Sequence, residues 1–134
     1  MKLSKDYILG IAESKAVFTF SGNGPKKTPA FYFIMEAKDK ELVKEVKQFL
    51  GLRNKIYVFE PYKKDGAKRK SSAKIAVRDF NQLKNIIIPF FYDQLKGSKR
   101  REFNSWLNKI GSDPKVSKLY KLFYRLHKSG YWKK

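Results

Sequence analysis

Between Asp39 and Gly51 the apolar residues Leu42, Val43, Val46, Phe49 and Leu50 recur at helical spacing, whereas the segments on either side carry strand chemistry. Upstream, Val17-Phe18-Thr19-Phe20 and residues 30–37 are aromatic and β-branched. The dense turn Ser21-Gly22-Asn23-Gly24-Pro25 separates them, so the two predict a hairpin. Downstream, residues 55–60 and 73–77 read as a second pair of strands, joined by a loop over 61–72 rich in Lys, Arg and Gly. A helix set between two hairpins lays its apolar stripe on one face of an antiparallel sheet, which makes the fold class α+β.

The remaining elements are helical. Ser4 is suited to cap a first helix through Tyr7, Ile8, Leu9, Ile11 and Ala12, and Asp39 to cap the central one, which Gly51 stops. A third helix is expected from near Asp79 to the Ile86-Ile87-Ile88-Pro89 segment. A fourth begins near Ser98, carries Phe103, Trp106, Leu107 and Ile110, and ends at Gly111. Pro114 is placed for the first turn of a last helix through Val116, Leu119, Leu122, Phe123 and Leu126. The order is αββαββααα over a single domain, residues 1–134, without repeat or linker.

Charge narrows the function. The 31 Lys and Arg against 12 Asp and Glu leave a formal net charge of +19 on 134 residues, well beyond what solubility asks of a small domain. Spread-out cations are rewarded by a polyphosphate backbone through counterion release. No basic amphipathic helix or bilayer-length apolar run points to a membrane, and Met1 to Asp6 lacks a secretory pattern. The absence of cysteine removes disulfides, zinc knuckles and thiol catalysis, so any metal would need carboxylates. The excess of Lys over Arg, with plentiful Ile, Phe, Tyr and Asn, fits the AT-rich codons of an organelle genome, mitochondrion or plastid.

Particular stretches resemble the LAGLIDADG homing endonuclease family. Tyr7-Ile8-Leu9-Gly10-Ile11-Ala12-Glu13-Ser14-Lys15-Ala16-Val17-Phe18 is similar to its signature helix and first strand, and residues 39–51 to its central helix. Ile86-Ile87-Ile88-Pro89-Phe90-Phe91, Gly97-Ser98-Lys99-Arg100 and residues 103–106 resemble its C-terminal half, so the likeness covers residues 5–127. It implies an αββαββα fold with extra C-terminal helices and a saddle-shaped antiparallel sheet over nucleic acid. One copy of the motif implies a homodimer or heterodimer through the signature helix, with Gly10 at the close approach and Ile8, Leu9 and Ile11 beside it.

The departure from the motif bears on chemistry. The family's metal-binding acid falls at Lys15, and an ammonium repels the divalent cations that phosphodiester cleavage needs. Glu13 is the other acid of the motif, but at about 100° per residue it faces elsewhere on the helix. The resemblance therefore implies a degenerate active site and no resident metal, with Mg²⁺ expected only if the chain is an endonuclease subunit. Lys99 aligns with a lysine that the family places in the active-site pocket; a solvated helix N-terminus beside Lys96, Arg100 and Arg101 is the other reading.

Strand alternation assigns faces. If Phe18, Phe20, Phe31, Phe33, Met35, Ile56, Val58, Ile75 and Val77 meet the helices, then Val17, Thr19, Tyr32, Ile34, Tyr57, Phe59, Lys74, Ala76 and Arg78 point outward. Exposed aromatics suit stacking on unpaired bases more than reading a duplex groove, which favours structured RNA over DNA unless a protein partner covers them. Lys26, Lys27, Lys63, Lys64, Lys68, Arg69, Lys70 and Arg100 are candidate phosphate contacts. His127 has no catalytic companions, Trp106 is expected in the core, and Tyr131 and Trp132 suit bases or protein equally. The expectation is a non-catalytic RNA-binding protein, stabilising ribosomal RNA among ribosomal proteins or acting as an intron maturase. The alternatives are a subunit of a DNA endonuclease and a DNA-binding repressor.

Overall fold

A computed structural model describes residues 3–22, 24–59 and 71–133. Helix α1 (Lys5–Lys15) starts where the Ser4 hydroxyl accepts the Tyr7 N–H at 3.1 Å, and runs without a break into β1 (Ala16–Ser21). The chain returns as β2 (Thr28–Glu36), passes a 3₁₀ turn (Ala37–Asp39) and enters α2 (Lys40–Leu50). Asp39 stands at the N-cap but makes no side-chain cap bond, because the 3₁₀ turn already leads the chain into the helix. Gly51 ends α2 with φ 74°, a left-handed position that its missing Cβ permits.

Strands β3 (Ile56–Phe59) and β4 (Ser72–Val77) complete one antiparallel sheet in the order β1-β2-β4-β3. Both expected hairpin pairings are present, and β2 and β4 join them, with Phe33 opposite Ile75 and Tyr32 opposite Ala76. Phe18, Phe31, Phe33, Met35, Ile75 and Val77 are buried under the helices as alternation predicts. Val58 is the correction: it is 45% exposed, because the four-residue edge strand β3 has little packed over it. Ala76, on the outward face, is buried at the position across from Tyr32.

The third helix continues past its expected end as α3 (Phe80–Gln82), a π turn (Leu83–Ile87) and α4 (Ile88–Phe91). Pro89 has no N–H for the carbonyl four residues back, and the widened turn lies just before it. Helix α5 (Ser98–Ser112) sends Phe103 and Trp106 into an aromatic cluster around Phe18, whose ring centroid lies 4.9 Å from that of Phe103 and 5.3 Å from that of Trp106. The same helix seals the edge of β1: a Glu102 oxygen accepts the Phe18 N–H at 2.9 Å, and the Trp106 indole donates to the Thr19 carbonyl at 2.7 Å.

The last helix, α6 (Lys121–Ser129), begins seven residues after Pro114. The intervening segment is held instead by β1–β2 loop contacts: the Lys27 N–H donates to the Lys115 carbonyl at 3.0 Å, and Val116, buried, bridges to Lys27. Gly111 does not stop α5, which runs one residue further. A Cβ there would lie 2.2 Å from Cγ of Tyr124, so the glycine lets α6 pack on α5. Lys121 then donates to the carbonyls of Ile110, Gly111 and Asp113, at 3.2, 3.2 and 2.7 Å, closing the C-terminus of α5.

Candidate nucleic-acid interface

The face of the sheet away from the helices carries Tyr32 on β2, Lys74 on β4, and Tyr57 and Phe59 on β3. Period-two alternation puts them there, and the register brings them together, with Tyr57 opposite Lys74. The Lys74 ammonium lies 4.2 Å from the centroid of the Tyr32 ring and 5.3 Å from that of Phe59. Tyr57 and Phe59, half exposed, stack with centroids 6.4 Å apart and planes at 27°. Arg78 closes the patch: its Nε donates to Ser21 Oγ at 3.0 Å and a terminal nitrogen to the Tyr32 hydroxyl at 3.3 Å. Part of the guanidinium fork is thereby oriented, with N–H groups left for a ligand. This surface offers flat π faces beside fixed cations, the combination that holds unpaired bases and their phosphates.

Lys15 is the last residue of α1 and supplies no oxygen ligand. Glu13 is occupied: its two carboxylate oxygens accept the N–H groups of Lys96 and Gly97 at 2.6 and 3.1 Å, tying α1 to the turn before α5. Among the described residues no three His, Asp or Glu side chains converge as a metal site would require. The donor set therefore does not fit the metal centre that the motif implies in its intact form.

Lys99 is not a solvated helix end. Its side chain is 12% exposed and pairs with Glu102 at 3.1 Å, the same carboxylate that accepts from Phe18. Glu102 was not among the expected site residues, although its i,i+3 spacing from Lys99 on one helix was visible in the sequence. Together with Thr19, Ser105 and Lys109 it lines an open pocket of about 290 Å³ along β1.

Several expected contacts have structural employment. Lys27 pairs with Asp113 at 3.1 Å, and that carboxyl is held below its usual range first by the Lys115 backbone N–H and then by the Lys27 hydrogen bond. Arg100 reaches Asp93 at 3.7 Å and the Leu95 carbonyl at 3.4 Å. Lys26 is exposed on the β1–β2 loop. Lys63, Lys64, Lys68, Arg69 and Lys70 lie outside the described residues.

The expected dimer contacts divide. Ile8 and Leu9 are buried in the chain's own core and are unavailable to a partner, because they face the sheet and α5 rather than solvent. Ile11 is partly buried against that core, and Gly10 is exposed, with Tyr7 and Ser14 on the same helix face. In the C-terminal region Trp132 is buried between Tyr92 and Phe123, while Tyr131 remains 58% exposed. His127 Nδ1 lies 2.6 Å from the Tyr92 hydroxyl, a packing role.

No protein-family model and no curated protein matches the sequence. Solved structures do. The homing endonuclease I-TnaI superposes with a TM-score of 0.67 over 98% of this chain and 79% of its own, at 14% identity. The LAGLIDADG homing endonuclease I-GzeII, in complex with its DNA target, gives 0.65 at 20% identity over all of this chain and 46% of its own. I-LtrWI, bound to target DNA, gives 0.61 at 25% identity over 83% of this chain and 40% of its own. This chain thus spans less than half the length of those two DNA-bound enzymes. Sheet order, helix placement and these superpositions agree: the chain has the LAGLIDADG homing-endonuclease fold.

Proposed function

We propose that this chain binds nucleic acid on the outward face of its sheet, prefers RNA with unpaired bases, and does not cleave it. The observation that carries the reading is the patch in which exposed Tyr57 and Phe59 stand beside the partly buried Tyr32 and Lys74, on a chain of net charge +19. Lys15 in the place of a metal ligand, and Glu13 engaged by backbone N–H groups, support binding without cutting. In this reading the chain stabilises organellar ribosomal RNA or assists the folding of an intron.

The test is a binding titration of one RNA stem-loop against a DNA duplex, with the wild type and Tyr57→Ala. The stem-loop is expected to bind more tightly and to lose about tenfold on the substitution, one stacked base being worth roughly 1–3 kcal/mol, while the duplex changes little. Equal losses on both ligands count against stacking. Crosslinking in cells followed by sequencing of the bound nucleic acid then separates ribosomal from intron RNA. The DNA targets of I-GzeII and I-LtrWI favour a second reading, a DNA endonuclease subunit or repressor, which nicking of duplex DNA with Mg²⁺ or tight duplex binding would support.

A further inference from the structure

On the far side of β3 from the aromatic patch, α2 presents a row of lysines. Lys40, Lys44 and Lys47 recur at i, i+4 and i+7, and Lys55, just before β3, joins them around an open groove of about 580 Å³ completed by Gln48 and Ile56. The row follows from how α2 packs. Val43 and Val46 are buried on the sheet, and a helical wheel places the three lysines together on the flank beside the buried stripe. The carboxylates of the helix, Glu41 and Glu45, fall on the outer flank. Glu41 pairs with Lys44 at 3.2 Å in an exposed i,i+3 contact of the weak kind, and Lys40, Lys47 and Lys55 make no ion pair among the described residues.

We infer that this groove is a second phosphate-binding surface, taking the backbone of the same nucleic acid after it passes the β3 edge; the inference rests on the nucleic-acid reading above. Charge complementarity selects the occupant, since four cations around one depression, three of them unpaired, match successive phosphates. From Lys40 to Lys47 the helix rises about 10 Å, the length of roughly three stacked nucleotides. The groove also adjoins the stacking face across the β3 edge. Ile56 lines it, and the next residue, Tyr57, stands on the patch, so a single strand separates the two surfaces.

The experiment compares three full-length proteins on a 10-nucleotide and a 40-nucleotide single-stranded RNA: the wild type, K40Q/K44Q/K47Q/K55Q, and the charge-matched control K115Q/K118Q/R125Q/K128Q. On the long probe the groove variant is expected to bind at least tenfold more weakly than the control, with the slope of log Kd against log salt reduced by about 3, as four lost single-strand contacts predict. On the short probe, which the sheet face alone can hold, the groove variant stays within about threefold of the control. Equal losses in the groove and control variants, or a groove variant that matches the wild type, overturn the groove and leave the stacking face standing. A wild type that binds neither probe overturns the nucleic-acid reading itself, and the groove with it.

Discussion

At Gly111 the absence of a single methyl group decides whether α5 and α6 can touch. A Cβ at this position would meet Cγ, Cδ1 and Cδ2 of Tyr124 between 2.2 and 2.6 Å, too close for a ring held between two helices to evade cheaply. Gly111→Ala is therefore expected to cost about 2 kcal/mol in urea unfolding despite the better helix propensity of alanine, and Tyr124→Ala in the same chain should recover most of it. A loss in the double variant equal to the sum of the singles would refute the contact. His127 gives a pH signature. Burial lowers its pKa first and Lys128 pushes the same way, so the folded chain resists a proton that the unfolded chain accepts near its ordinary value of about 6.5. This contribution is complete above about pH 6.5 and is lost as pH falls from there toward the lowered folded value. Thermal melts between pH 7.5 and 5 should show a decline for the wild type that His127→Gln flattens.

The edge of β1 is an element-scale device, in which α5 satisfies backbone groups that a terminal strand would leave to water. Glu102→Ala removes the acceptor of the Phe18 N–H and the partner of Lys99 together, with an expected cost of about 1–2 kcal/mol. Glu102→Gln keeps an oxygen for Phe18 and should cost about half as much; equal losses would mean that the Lys99 ion pair alone matters. The bond to Phe18 was not legible in the sequence, because it joins residues more than eighty positions apart, whereas the i,i+3 pair with Lys99 was. What was legible was local and periodic: α2, both hairpins, and the assignment of Tyr32, Tyr57, Phe59 and Lys74 to one face all followed from spacings of 3.6 and 2. Alternation placed Val58 inside as well, since it reports which face a residue points to and not whether anything covers that face. Pro114 misled for a related reason: proline suits a first helical turn, but the bridge from Val116 to Lys27 ties this segment to the β1–β2 loop, and the chain reaches α6 through a run of turns that ends at Tyr120. The carboxylate partners of Lys27 and Arg100, Asp113 and Asp93, follow from the tertiary fold and not from spacing.

For the whole molecule the open question is what stands against α1. The helix buries Ile8, Leu9 and Ala12 inward and leaves Tyr7, Gly10 and Ser14 on its outer face at i, i+3 and i+7, with Tyr7 46% exposed. A Cβ at Gly10 would meet nothing within 4 Å, so within one chain the glycine answers to no packing constraint and costs helix stability of roughly 0.5–1 kcal/mol relative to alanine. A second helix laid across this face, from a second copy or a related partner, would supply the missing reason. We predict a light-scattering mass of twice the 15.8 kDa of one chain, either free or on RNA. Gly10→Arg should return the mass to that of one chain, while its melting temperature under monomeric conditions stays level or rises, because arginine is the better helix former. A wild type of 15.8 kDa both free and bound would show that the outer face of α1 meets only water, and the glycine would then have no role that packing can explain.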